Sequence, residues 1–320
     1  MRKKLILGMA VSVGFAQPAL AQAVPGDAAV QNQWFTGTLE APSPALPKPG
    51  ILEVEPYAIY TRTYGAYGTR GDYRAAPNVD IFTSVTAMKY GITNRISVQA
   101  LPSISHVANK ISHYTGIGDL PIELEYRINN ENNKTGFPSV TAAIGVTIPT
   151  GIYDNMRTPL SGFGSGAFTL KEQVLLQSLF DTPGGHPMRF RVYAAAYEAI
   201  GSTSVHNISV YGTSPGFAGR VDPGFSAVMG IGGGYALDQR WVIALDLVHK
   251  SARGFALDGA DGMNVIVHSR SGRSARTSLA PALEYNISGN VGIIAGVDFS
   301  LSGHNSSAYF APQIAISAGF

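Results

Sequence analysis

From Phe310 to Phe320 the chain alternates, with Phe310, Pro312, Ile314, Ile316 and Phe320 on even positions and Ala, Gln, Ser or Gly on the odd ones. A period of two sends successive side chains to opposite faces of a strand, so one face here is apolar throughout. The rhythm recurs. Leu120, Ile122, Leu124 and Tyr126 oppose Glu123, Glu125 and Arg127; Trp241, Ile243, Leu245 and Leu247 oppose Ala244, Asp246 and Lys250. Phe190, Val192, Ala194 and Ala196 oppose Arg189, Arg191, Tyr193 and Tyr197, and Val291, Ile293, Ala295, Val297 and Phe299 oppose Asp298 and Ser300. Beyond residue 21 no run approaches the roughly 18 apolar residues of a spanning helix, so the apolar surface is spread in alternation. Charged residues are only 14%, and 15 Tyr beside 14 Phe suit aromatic girdles at two membrane interfaces better than a soluble core. The pattern predicts an all-β protein, a transmembrane antiparallel β-barrel of about twelve strands.

Three regions follow. Arg2, Lys3 and Lys4, the apolar run Leu5 to Ala16 and the small-x-small site Ala19-Leu20-Ala21 read as a cleaved signal peptide over residues 1–21. Residues 22–50 are rich in Ala and Pro. Pro42, Pro44, Pro47 and Pro49 bar a regular sheet ladder, so the segment is a linker or a plug, with Trp34 and Phe35 as the pair that could dock. Residues 51–320 hold the barrel. Expected strands are 51–62, 79–90, 95–105, 118–128, 138–149, 166–179, 188–200, 223–236, 240–250, 275–287, 290–301 and 308–320. Short turns such as Gly91 to Asn94, Leu237 to Gln239 and Ser288-Gly289 alternate with longer loops full of Gly, Ser, Tyr and Arg, the arrangement in which the short side is periplasmic. Two strands fit poorly. Over 79–90 the lipid face is ambiguous between Val79, Ile81, Val85 and Phe82, Met88, Tyr90; over 166–179 Glu172 stands among Phe168, Leu170, Val174 and Leu176, which a register-shifting bulge would relieve.

A Lys or Arg facing lipid at the midplane costs about 2–4 kcal/mol, so the charged faces belong to the lumen. The candidate lumen or constriction residues are Glu53, Glu55, Arg95, Glu123, Glu125, Arg127, Lys171, Arg189, Arg191, Asp246, Glu284 and Asp298. Two readings of them stand: a salt-bridge network that fills the barrel, or a path for solute or ions. Small inward residues, namely Ala143, Gly145 and Thr147, Gly230, Gly232 and Gly234, and Gly292 and Gly296, argue for a cavity or narrow pore, since twelve strands lie between a filled eight-stranded barrel and a wide porin. No cofactor or metal site is expected, because none of the seven His has ligand spacing. No catalytic site is assigned. Ser204-Val205-His206-Asn207 and His304-Asn305-Ser306 place Ser near His, but outside a convincing lipid-facing strand. A formal net charge of +2 is too small to argue for nucleic acid, and the absence of Cys is compatible with export without disulfides.

Two resemblances add to this. The amphipathic last strand ending on Phe320, with Ile316 and Ile314, is similar to the assembly signal of bacterial outer-membrane barrels. It implies the barrel assembly machinery and outer-membrane lipid as partners. Gly116-Ile-Gly-Asp-Leu120 with Glu123-Leu-Glu-Tyr126, Pro149-Thr-Gly151, Gly162-Phe-Gly164 and the turn Tyr90-Gly-Ile-Thr-Asn-Arg95 together resemble the MetA-pathway of phenol degradation family, a group of outer-membrane transporters. That resemblance implies a channel or uptake protein for small-molecule solutes, hydrophobic or aromatic compounds among them. The rivals are a structural or surface-interaction barrel with a blocked lumen and a lipid-active enzyme.

Overall fold

The computed structural model describes residues 33–132 and 137–320; the expected signal peptide and residues 22–32 lie outside the described residues. The strands are β1 (Leu52–Tyr67), β2 (Tyr73–Thr93), β3 (Ile96–Ala100), β4 (Ser103–Ala108), β5 (His113–Ile117), β6 (Leu120–Asn129), β7 (Ser139–Ile148), β8 (Thr169–Asp181) and β9 (Pro187–Ala199). They continue with β10 (Thr203–His206), β11 (Ala218–Asp222), β12 (Ser226–Ala236), β13 (Trp241–Ala252), β14 (Ala256–Ala260), β15 (Ile266–Arg270), β16 (Ser274–Asn286), β17 (Val291–His304) and β18 (Ser306–Gly319).

Fourteen of these segments make one antiparallel sheet, closed because β1 pairs with both β2 and β18. Closure removes the sheet edges that lipid could not satisfy. β3 and β4 both pair with β2 and are two halves of one strand, broken at Leu101-Pro102; β6 and β5 pair with those halves in turn and are broken at Gly118-Asp119. Fourteen segments are thus twelve barrel strands, the number the alternation predicts. Pro102 has no N–H to give, but its carbonyl accepts from Thr86 N at 3.0 Å, so the wall stays joined across the break.

The two faces separate as expected. On β13, Trp241, Ile243, Leu245 and Leu247 point outward and exposed, while Val242, Ala244, Asp246 and Val248 are buried inward. The ambiguous strand β2 turns Phe82, Met88 and Tyr90 to the outside and buries Ile81, Val85, Ala87 and Lys89. Its lumen face is nearly as apolar as its lipid face, which is why alternation alone left it open. The bulge suggested for β8 is corrected: its ladders to β7 and β9 run without a register shift, and Glu172 stands exposed on the outer face. Bulges fall elsewhere, at Thr63/Gly65, Gly91/Thr93, Arg127/Asn129 and Thr277/Ser278. The short turn between β12 and β13 is held by Asp238, whose carboxylate accepts from Arg240 N at 2.7 Å and Trp241 N at 2.8 Å. Those donors hold its pKa below the usual carboxylate range.

On the long-loop side, four short strands form a separate sheet in the order β10-β11-β14-β15. It encloses its own core of Val205, Phe217, Val221 and Leu257, with Tyr153, Tyr211, Phe255 and Val267 packed against it. The sequence reading treated these stretches as loops, because four or five residues set among Gly and Ser carry too little alternation to register.

Leu245 lies midway along an outward row, so Leu245→Arg should destabilise the barrel by about 2–4 kcal/mol, against almost no change for a Leu245→Val control. Reversible urea unfolding in lipid vesicles measures this; an unaltered midpoint for the Arg variant would mean that the face does not meet lipid.

Candidate functional site in the barrel lumen

Every residue from Gln33 to Pro47 is buried except Trp34, which is half-buried. This stretch, here called the strap, enters the lumen from the short-turn end and returns to it, and many inward residues of the wall contact it. Near the short-turn end, Gln33 Nε2 donates to Asp238 O at 2.9 Å and Gln239 O at 3.2 Å, and Trp34 lies against Gly289 in the turn between β16 and β17. Phe35 packs with Leu179, Ala236 and Val242 under the Arg189 guanidinium, 4.6 Å from its ring centroid. Leu39 is fully buried among Tyr57, Val85, Ala87, Leu101, Ala280, Ile294 and Ala315.

The strap forms no ladder, so its backbone groups need side-chain partners in a buried setting. The wall's carboxylates take its N–H groups. Asp246 accepts from Glu40 N at 3.0 Å and Ala41 N at 3.3 Å, and Glu284 accepts from the backbone of Thr36 and Gly37. The wall's cations take its carbonyls. Arg191 donates to Ala41 O at 3.1 Å, Arg127 to Pro44 O at 2.9 Å and Lys89 to Ala45 O at 3.4 Å, while Thr141 Oγ1 shares Pro44 O at 2.7 Å. The strap's own Glu40 meets Gln313 Nε2 at 3.3 Å and Lys250 Nζ at 3.5 Å.

The wall charges also pair with one another. Lys89 meets Glu125 at 2.9 Å, Lys171 meets Glu123 at 2.7 Å and Arg189 meets Glu284 at 2.7 Å, all with buried side chains. Arg191 Nε also donates to Gln177 at 2.8 Å, and Tyr57 donates to Glu55 at 3.0 Å. Asp298 accepts from the Tyr309 hydroxyl, and Glu53 is buried. Eleven of the twelve sequence candidates therefore line the lumen. Arg95 is the correction: it is exposed in the turn between β2 and β3, outside the lumen, where its backbone N–H donates to Thr93 Oγ1 at 3.1 Å. Sequence reasoning missed Lys89, hidden by the ambiguity of its strand, and Glu40, hidden in a segment without periodicity. It read Lys250 as inward without including it among the candidates.

The small inward residues also change meaning. A Cβ on Gly292 would lie 1.7 Å from Thr36 Oγ1, one on Gly296 2.6 Å from Leu39 Cδ1, and one on Gly232 2.7 Å from Ala41 Cβ. These glycines seat the strap, and the space expected to be an open pore is where it runs.

Neither Ser-His pair forms a catalytic arrangement among the described residues. His206 lies 3.2 Å from Asp154, but no hydrogen bond joins it to Ser204, and Ser306 Oγ donates to Ala275 O. Ile314 and Ile316 face outward, and Phe320 N and O pair with Leu52 of β1.

No family model matches this chain, and no curated protein matches it. Among solved structures it is similar to an outer-membrane channel from Pseudomonas putida F1, with 17% identity over 86% of this chain and 97% of that one and a TM-score of 0.64. At that identity the likeness is one of fold, and the fold is the outer-membrane β-barrel. Lower similarity extends to the transport unit of the autotransporter AIDA-I from Escherichia coli (10% identity, 84% and 90% covered, TM-score 0.46). The Ralstonia pickettii toluene transporter TbuX follows at 11% identity, 86% and 90% covered and a TM-score of 0.40.

Trp34 and Trp241 are the two tryptophans, so a Trp241→Phe background isolates the strap's signal. There, Gly292→Val should dislodge the strap and raise acrylamide quenching of Trp34 towards its value in urea, whereas Gly233→Val, with nothing nearer than 3.8 Å, should leave it unchanged. Equal quenching in both variants would sink the seating argument.

Proposed function

We propose that this protein is an outer-membrane channel for uptake of small molecules, hydrophobic or aromatic compounds among them, closed at rest by residues 33–47. One observation carries the reading: the lumen accommodates a whole peptide segment, held by hydrogen bonds and the Glu40–Lys250 ion pair, contacts that water could replace one at a time. A barrel whose interior were filled by its own side chains would leave no such room. The signal-peptide reading and the outward-facing Ile314 and Ile316 of the last strand support export and insertion by the barrel assembly machinery. The aromatic compounds come from the family resemblance, and no solute-binding residue follows from it.

The same burial favours one rival, a structural barrel permanently blocked by the strap. Permeation separates the two. Deleting residues 22–50 should raise single-channel conductance in planar bilayers several-fold and admit small sugars and aromatic acids to proteoliposomes. Replacing both Arg189 and Arg191 by Gln removes two lumen cations and should shift selectivity towards cations. If neither the full chain nor the deletion variant conducts, the blocked barrel is the better reading.

A further inference from the structure

Lumen cations in this barrel follow a rule with one exception. Lys89, Arg127, Lys171, Arg189, Arg191 and Lys250 each reach a carboxylate, an amide or a strap carbonyl. Arg276 on β16 does not: among the described residues its guanidinium has no hydrogen bond and no ion pair, and its contact is with the face of Tyr309, 4.4 Å from the ring centroid. It is half-buried, whereas Arg189 and Arg191 are fully buried, so it stands where solvent still reaches the wall. It lies two residues from the start of β16, at the long-loop end of the lumen, beyond the strap's Glu40.

Its surroundings are specific. Register places Arg276 beside Lys250 on β13 and Gly303 on β17, and the ring of Tyr67 crowds Gly303. The two nearby carboxylates are engaged elsewhere: Asp298 takes the Tyr309 hydroxyl, and Glu40 takes Lys250 and Gln313. Stacking on a ring restrains the guanidinium plane, and a planar fork of N–H donors matches a carboxylate through two parallel bonds. Tyr309 is itself buried and fixes the guanidinium from behind, while the half-buried ring of Tyr67 adds apolar area on which a flat solute can stack.

We propose that Arg276, braced by Tyr309 and flanked by Lys250 and the ring of Tyr67, is a recognition point for aromatic carboxylate anions at the long-loop mouth of the lumen. The inference rests on the channel reading and names a substrate class for it. Carboxylate without a ring lacks the stacking surface, and a ring without carboxylate leaves the guanidinium as it is, so the site discriminates by requiring both.

Calorimetric titration of the detergent-purified full-length protein tests this with benzoate, benzyl alcohol and acetate as probes. Benzoate should bind at least tenfold more tightly than either other probe, Arg276→Gln should weaken it at least tenfold, and Arg276→Lys should fall between. Each variant is first checked for the heat-modifiable folded band, and Arg276→Lys keeps the test usable should the Gln variant not fold. Benzoate bound equally by wild type and a folded Arg276→Gln, benzyl alcohol bound as tightly as benzoate, or no benzoate binding at all overturns the proposal. Proteoliposome uptake of benzoate and benzyl alcohol, by the full chain and by the variant lacking residues 22–50, is measured alongside as the excess over protein-free liposomes. Uptake without Arg276-dependent benzoate binding removes this site and spares the channel; Arg276-dependent binding without uptake of either aromatic probe does the reverse.

Discussion

A peptide without secondary structure, buried inside a membrane barrel, must find a partner for each backbone polar group, because an orphaned one costs about 1–3 kcal/mol. That requirement organises the lumen. Carboxylates of Asp246 and Glu284 stand where the strap offers N–H, and Arg191, Arg127 and Lys89 stand where it offers C=O. The signs of the wall charges are thus set by the polarity of the chain that lies among them. The ion pairs Arg189–Glu284, Lys89–Glu125 and Lys171–Glu123 then keep those six wall charges from being buried alone.

Composition on both sides of the contact fits the same need. Pro42, Pro44 and Pro47 have no N–H, which lowers the number of donors the wall must satisfy, and their fixed φ favours the extended form that threads a narrow space. Gly292, Gly296 and Gly232 let the wall approach this chain closely enough for van der Waals contact at Thr36, Leu39 and Ala41. Glycine in a strand interior normally weakens the strand. Here the loss is confined to the faces where a Cβ would collide with the strap.

Much of this was legible in the sequence, and the remainder was not for identifiable reasons. Alternation located all twelve barrel strands because lipid on one side and a polar lumen on the other impose opposite chemistry on neighbouring residues, as on β13. It faltered on β2, where the lumen face carries Ile81 as well as Val85 and Ala87, which pack on Leu39, and it could not see that Glu172 is tolerated outward on an unbroken ladder. The inward charges were readable one strand at a time, yet their partners were not: Lys89 and Glu125, or Arg189 and Glu284, meet across register and curvature that no single strand encodes. Arg95 was misplaced because a strand end and the first turn residue look alike in a period of two. The strap has no period at all, so only Trp34 and Phe35 hinted that it docks, and the glycines cut for it looked like open space.

The alternating signs of the wall would have a consequence for the barrel were the strap to withdraw. Asp246, Glu284, Arg127, Arg191 and Lys89 would then face water, and none of them forms a ring of one sign. A lumen so lined behaves electrically as a patchwork, attracting anions and cations at different points along its surface while presenting no continuous barrier to either. Discrimination among solutes would then fall to shape and to single points of contact along the route, and the strap's departure would convert a set of peptide-holding groups into a weakly selective aqueous lining.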